Sequence, residues 1–369
     1  MKQFKDTFDQ YQWDEVQVSI LNKTSKDVET ALNATSRNLE DFKALISPAA
    51  LPYLEQMAQI SHQLTQKRFG NTIQLFAPIY LSNVCSNICT YCGFSANHKI
   101  KRKILTEAEI LEEIMVIKKY GYNHILLVTG ESSHTVNIDY FMKALEIIKP
   151  YFANISLEVQ PLTQDEYTQL ECAGIYSVLV YQETYNKEKY KGYHLKGNKA
   201  DFYNRLDTPD RIGLAGMHKI GLGVLLGLED WRTDSFFCAL HLNYLQKTYW
   251  QSKYSIAFPR IRPAEGVDIS NYHINDKEFV QLICAYRLLN EDLEISISTR
   301  ESASFRDNLI KLGTTSMSAG SKTNPGGYSV DEESLEQFEM SDERTPEQVA
   351  AVIAANGYEP VWKDWETIF

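Results

Sequence analysis

Three of the chain's six cysteines fall within the eight residues Cys85-Ser86-Asn87-Ile88-Cys89-Thr90-Tyr91-Cys92, a CxxxCxxC spacing. Thiols this dense read as ligands rather than disulfide partners wherever a reducing compartment keeps them free. A cytoplasmic location is the expectation, because Met1-Lys2-Gln3-Phe4-Lys5-Asp6 lacks the apolar core of a signal peptide. Three thiolates are one short of the four that close an ordinary 4Fe-4S cubane. A fourth iron without a protein ligand can be chelated by a small molecule, and chemistry would occur there. Together with His98 the same thiols would also suit a structural Cys3His zinc site, although zinc favours two ligand knuckles and the second is missing here. Cys172, Cys238 and Cys284 stand singly in helical patterns and read as buried thiols.

Such a loop needs a scaffold. Residues 1–70 read as helices over 24–34, 38–45 and 49–69, with no strand-like run. From Thr72 onward, short β-branched or apolar runs alternate with amphipathic stretches. The predicted strands are 73–80, 124–129, 155–159, 177–181, 220–226, 254–258, 294–298 and 315–318. Thr106 with Glu109 and Thr163 with Glu166 form capping boxes, and Thr208 stands as a cap before Pro209. Eight strand–helix units predict an α/β fold, a closed (β/α)8 TIM-type barrel over residues 71–323 with a helical N-terminal extension (1–70) and a short C-terminal extension (324–369). An open doubly wound sheet is the competing arrangement. Gly221-Leu222-Gly223 makes no dinucleotide fingerprint, because the third Gly is displaced and the glycines lie within a strand.

A barrel places its chemistry just after the strand C-termini. Those positions carry Thr129-Gly130-Glu131, Glu158 and Gln160, Gln182, Glu229-Asp230, Arg260 and Arg262, Arg300, and Ser318 with Ser321. Glu158 and Gln160 could bond ribose hydroxyls or, alternatively, orient their loop through backbone contacts. Beyond the barrel lie a turn-rich exit (324–328), an acidic linker (331–343), a helix opened by Thr345-Pro346-Glu347-Gln348 and an aromatic tail with Trp362 and Trp365.

Composition bounds the function. Apolar residues at 44% and charged residues at 23% are globular values. A net charge of −11 argues against nucleic-acid binding, which needs a basic face. The run Lys99-Ile100-Lys101-Arg102-Lys103 reads as a solvated loop beside the thiols, or as a dock for an acidic electron donor. The longest apolar run, 224–228, falls far below the ~18 residues that span a bilayer.

With Tyr91 between the last two cysteines, the loop resembles the CxxxCx(aromatic)C signature of the radical S-adenosylmethionine superfamily. That resemblance implies one 4Fe-4S cluster on Cys85, Cys89 and Cys92, and S-adenosylmethionine on the open iron. Thr129-Gly130-Glu131 resembles the family's GGE-type motif, which holds the methionyl amino group. Arg205, in Asn204-Arg205-Leu206-Asp207-Thr208, resembles an Arg of biotin synthase that contacts S-adenosylmethionine, and Gln182 matches the same family loosely. Segments 85–95, 128–131, 158–162, 181–185, 258–263 and 318–328, with 21–24 and 362–365 near the ends, are similar to the tyrosine lyases of thiamin thiazole biosynthesis, the 2-iminoacetate synthases.

The resemblance implies hydrogen abstraction from the amino group of L-tyrosine and Cα–Cβ cleavage to 2-iminoacetate and p-cresol, with 5′-deoxyadenosine and methionine as co-products. It also implies a thiazole synthase partner and a flavodoxin- or ferredoxin-type donor. The substrate carboxylate needs a fixed cation, and Arg300 with Ser318 or Ser321 is the choice; the alternative for Arg300 is an ion pair with Glu301. Tyrosine lyases of hydrogenase maturation resemble a version with extra cysteines near the C-terminus, whereas no cysteine follows Cys284 here. Tryptophan lyases of the group and a zinc-stabilised non-enzymatic scaffold are the other readings.

Overall fold

The computed structural model describes residues 3–264, 273–330 and 336–362. Eight parallel strands form a closed barrel: β1 (Thr72–Ser82), β2 (His124–Thr129), β3 (Asn154–Glu158), β4 (Ser177–Leu179), β5 (Lys219–Gly223), β6 (Lys253–Ala257), β7 (Glu294–Ile297) and β8 (Ser316–Ser318). Closure comes from β8 pairing with β1, Gln74 opposite Ser316 and Phe76 opposite Ser318. The open doubly wound sheet is thereby excluded. All eight predicted strands are present; β4 and β5 end earlier than expected. Beyond them the chain keeps only single bridges, Glu183 with Val224 and Leu226 with Arg260, as Glu183 at φ 70° turns it into the rim loop.

The two-residue period of a strand sorts the side chains. Ile73, Leu75, Ala77, Ile79 and Leu81 of β1, Ile125 and Leu127 of β2, and Leu157 of β3 are buried in the main hydrophobic core. The alternate residues face inward. Low in the barrel they are polar, with Lys219 Nζ 2.7 Å from Glu294 and His124 Nε2 2.9 Å from Ser156 Oγ. Higher up, Tyr80, Phe94, Leu126 and Val128 form a small apolar cluster against which Cys85 and Cys92 pack.

The N-terminal helices lie on the flank of the barrel. Gln281, in the helix Asp276–Leu289, donates to the carbonyls of Leu45 and Ser47 (2.8 Å each). The expected helix over 49–69 begins as the 3-10 turn Pro48–Tyr53, since Pro52 offers no N–H, and becomes α-helical over Leu54–Phe69. Two helices the pattern did not predict, Phe4–Phe8 and Trp13–Leu21, pack aromatics on Trp231–Thr248: Phe4 stacks on His241 at 3.8 Å and Trp13 on Phe237 at 5.7 Å. The capping boxes at Thr106, Thr163 and Thr345 are formed. The cap expected at Thr208 falls one residue earlier, at Asp207, with Thr208 already helical ahead of Pro209.

The C-terminal segment is part of the barrel. A strand Glu359–Val361 pairs with the lower half of β1, Thr72 opposite Glu359, below the point where β2 joins at Ala77. Residues 331–335 of the acidic stretch and 363–369, including Trp365, lie outside the described residues. The rest of that stretch is a strap across the barrel mouth, where Glu339 N–H donates to Pro263 O (3.0 Å) and Ser341 N–H to Thr299 O (3.0 Å). No helix among the described residues is long and apolar enough to cross a membrane.

Leu157 is fully buried between β3 and the outer helices. Leu157→Ala should therefore cost roughly 2–5 kcal/mol in chemical denaturation, and a loss below about 1 kcal/mol would contradict this packing.

Candidate active site

The loop after β1 carries the three thiols, and its shape is set by backbone contacts. Arg102 donates to the carbonyls of Asn83 (2.7 Å), Phe94 (2.8 Å), Ser95 (2.7 Å) and His98 (3.3 Å). It is a clasp for the loop, so the reading of this residue as solvated is corrected; Lys103 likewise pairs with Glu109 at 3.1 Å. On one side Ile88–Cys89 forms a two-residue ladder with His194–Lys196. On the other, Gly130 N–H donates to Ser82 O at 2.8 Å, and a Cβ on Gly130 would lie 2.4 Å from Val84 O. Only glycine permits that approach, which brings Glu131 under the thiols.

Cys85, Cys89 and Cys92 all line one chamber, together with Thr129, Glu131, Glu183, Lys199 and Arg205. All three are free thiols. Burial raises the Cys89 thiol well above its usual range and, with Glu131, raises Cys85. A buried thiolate therefore needs a cationic partner, which cluster iron would supply. His98 does not join them; its Nδ1 faces Gly93 O at 3.1 Å. Because His98 does not line the chamber with the three thiols, the Cys3His zinc reading lacks its fourth ligand. Of the other cysteines, Cys238 and Cys284 are buried as expected, whereas Cys172 is exposed.

Two acids and two bases form the chamber's far side. Arg205 Nη1 is 2.8 Å from Glu131 Oε1, Lys199 Nζ is 2.7 Å from Glu183 Oε1, and Asn87 Nδ2 donates to Glu131 Oε2 at 2.8 Å. Burial alone would raise both carboxyls, but Arg205 and Lys199 outweigh it and hold them below the usual carboxylate range. Thr129 Oγ1 is buried there with no hydrogen-bond partner among the described residues, an orphan a bound ligand could satisfy.

Three of the expected cofactor contacts lie elsewhere. Tyr91 does not line the chamber. Its hydroxyl donates to His194 Nε2 (2.7 Å), because Nδ1 faces the Tyr190 carbonyl (2.9 Å) and must carry the ring proton. Burial, Lys199 and Arg205 lower His194 to about 2 and keep it neutral. Gln160 donates to Val136 O at 2.5 Å, and Gln182 reaches Phe202 O at 3.5 Å. Both amides orient rim loops, since chain direction after β3 and β4 turns them away from the thiols.

A second chamber lies beside the first and shares Val128, Glu158, Tyr181 and Gln337 with it. Arg300 lies in it with its guanidinium carbon 3.4 Å from the centroid of Phe338. Glu301 does not pair with Arg300; it binds Arg260 (Nε 2.9 Å) and Arg262 (3.1 Å), so those two arginines form a rim ion-pair cluster. Ser318 Oγ accepts from Thr299 N–H at 3.2 Å, while Ser321 Oγ and Thr323 Oγ1, which line this chamber, are buried with no hydrogen-bond partner among the described residues. Sequence reasoning missed Lys199, Glu183, Asn87, Gln337 and Phe338. Lys199 stands in no motif, and Gln337 is hidden in an acidic tract; the non-glycine positive φ at Glu183 is invisible before folding.

Known proteins match this arrangement. The description "Radical SAM superfamily" fits residues 79–237, and "Biotin and Thiamin Synthesis associated domain" fits 257–359. The chain is 50% identical to 2-iminoacetate synthase of Escherichia coli (strain K12) and 51% identical to that of Salmonella typhimurium, in each case over 100% of this chain and 98% of the relative. The crystal structure of HydG, a maturase of the FeFe-hydrogenase, superimposes with a TM-score of 0.90 at 30% identity, covering 95% of this chain and 80% of that one. A closed parallel barrel with three thiols and a buried acid–base quartet at its C-terminal mouth defines a radical S-adenosylmethionine protein, whose cofactors are a 4Fe-4S cluster and S-adenosylmethionine. Within that class, the chain belongs to the 2-iminoacetate synthase family.

Glu158, on the wall between the chambers, is raised to about 7, first by burial and then by the Glu183 carboxylate. A carboxyl whose folded value exceeds its unfolded one, ordinarily about 4.3, binds its proton more tightly in the native state, so stability is lost as pH rises from there to about 7 and stays lost above it. Glu158→Gln should accordingly raise Tm at pH 8, with the gain shrinking steadily as pH falls from 7 to 4; a gain as large at pH 4 as at pH 8 contradicts this.

Proposed function

We propose that this protein is a carbon–carbon lyase that cleaves L-tyrosine to 2-iminoacetate and p-cresol. The observation that carries the reading is the pair of adjoining chambers: thiols with an acid–base quartet in one, and in the other a cation, Arg300, that pairs with no carboxylate among the described residues. When bound, the cluster and S-adenosylmethionine supply a 5′-deoxyadenosyl radical able to take a hydrogen atom from the substrate amine. The protein's own groups bind, orient and exclude water.

Cys85, Cys89 and Cys92 hold the cluster. The Glu131–Arg205 pair is complementary to the two polar groups of an amino acid: as it opens, Glu131 accepts from an N–H of the methionyl amino group and Arg205 takes its carboxylate. Thr129 and Glu158 offer polar atoms for the ribose. Gly130 both shapes the loop and lines the chamber, and Tyr91 props the loop through His194. In the second chamber Arg300, whose guanidinium burial disfavours while it is unpaired, takes the tyrosine carboxylate, helped by Ser318 and Ser321. Phe76, Leu126, Val128 and Phe258 give the phenol ring an apolar wall.

Atom balance fixes the outcome. Tyrosine less one amine hydrogen divides at Cα–Cβ into 2-iminoacetate and a hydroxybenzyl radical, which becomes p-cresol on gaining one electron and one proton. The electrons call for a low-potential flavodoxin- or ferredoxin-type donor in the cytoplasm, and exposed Lys99 and Lys101 beside the thiol loop suit an acidic partner. The imine product calls for a thiazole synthase to consume it.

Protein reconstituted anaerobically with iron and sulfide, then given tyrosine, S-adenosylmethionine and reductant, should release p-cresol and 5′-deoxyadenosine. Deoxyadenosine without p-cresol would reject the substrate. Arg300→Ala should weaken tyrosine binding by roughly 2–5 kcal/mol while leaving S-adenosylmethionine binding intact; unchanged tyrosine affinity would remove Arg300 from the carboxylate site.

A further inference from the structure

Gln337, in the strap over the barrel mouth, is held on four sides. Its N–H donates to Thr323 O (3.2 Å), and its carbonyl accepts from Gly93 N–H (3.1 Å). Its side-chain Oε1 accepts from the Tyr80 hydroxyl at 2.7 Å, and Nε2 donates to Cys92 Sγ at 3.7 Å. The strap comes so near the thiol loop that a Cβ on Gly93 would lie 2.7 Å from Gln337 O. Gln337 lines both chambers, and the adjoining Phe338 covers Arg300. One side chain thus touches a cluster ligand, while its neighbour in sequence touches the cation assigned to substrate.

We propose that Gln337 is a positioning residue that reports occupancy of the substrate chamber to the cluster: tyrosine held at Arg300 tightens the Nε2–H···Sγ contact to Cys92 and eases reduction of the cluster. The inference rests on the cluster and Arg300 assignments above. An amide donor to a ligand sulfur favours the more negative, reduced state, and hydrogen bonds to the sulfurs are among the determinants of cluster potential. At 3.7 Å the contact has room to shorten, as hydrogen bonds in unliganded sites often do when ligand arrives. Entry of substrate must also disturb the Phe338 ring over Arg300, and the peptide link carries that displacement to Gln337. Reduction would then be favoured when substrate is present, limiting wasted cleavage of S-adenosylmethionine.

The test is an EPR-monitored redox titration of reconstituted protein with S-adenosylmethionine, with and without tyrosine, after iron and sulfide have been counted and tyrosine affinity measured by calorimetry. In the unaltered protein tyrosine should raise the reduced-to-oxidised ratio at fixed potential by about tenfold, 59 mV for a one-electron couple. Gln337→Leu, which removes the donor, should lower the potential without tyrosine and abolish the response while still binding tyrosine. Gln337→Glu, which keeps an acceptor for Tyr80 but loses the amide donor, should also abolish it. No tyrosine response in the unaltered protein, or a full response in both variants, overturns the proposal, as does loss of tyrosine binding in both, which would make Gln337 a substrate contact. Failure to assemble a cluster in the unaltered protein would instead count against the site itself, and the iron and sulfide content tells these cases apart.

Discussion

The buried ion pair between Glu131 and Arg205 is the contact on which the rest of the site depends. Opposite charges taken from water are costly unless each retains a partner, and removing one member of such a pair typically costs about 3–5 kcal/mol. Here Lys199 and Glu183 complete a quartet in which acids and bases are equal in number. Such balance can be kept when a ligand carrying both an ammonium and a carboxylate enters, but not when a ligand of single charge does. The quartet is thus complementary in charge to an amino acid's paired polar groups.

Distant parts of the chain meet to build this arrangement. Glu131 follows β2, Arg205 lies in the helix Phe202–Leu206, and the thiols follow β1. The short ladder between Ile88–Cys89 and His194–Lys196, with Asn87 bonded to both Glu131 and the Lys199 amide, locks thiol loop and quartet together. Arg102 clasps that loop from the other side. Barrel closure through β8 then brings Ser318, Ser321 and Arg300 to the same mouth, and the C-terminal strap seals it with Gln337 and Phe338.

Much of this was legible in the sequence because local spacing reflects local geometry. Alternation located all eight strands, Thr-x-x-Glu pairs marked helix starts, and the CxxxCxxC spacing marked the ligand loop. Placing Glu131 and Arg300 at strand ends put them at the same rim as the thiols, where the structure has them. What escaped was set by long-range contact. Gln160 and Gln182 occupy rim positions, but the direction of the chain after β3 and β4 turns their amides to backbone carbonyls. Arg102 reads as solvated within a basic run and proves to be bonded to four carbonyls. The acidic stretch after residue 330 has the composition of a linker; its described residues, 336–343, form a strap because Thr299, Pro263 and Gly93 offer backbone partners that no local pattern reveals.

The central claim is that three thiols leave one iron open to an amino-acid chelate facing Glu131 and Arg205. Electron–nuclear double resonance on the reduced, reconstituted protein with S-adenosylmethionine labelled with 15N at the amine and 17O at the carboxylate measures this directly. The account predicts hyperfine coupling from both labels, weakened in Glu131→Gln. Absence of coupling from either label in a protein that holds a full cluster would contradict it.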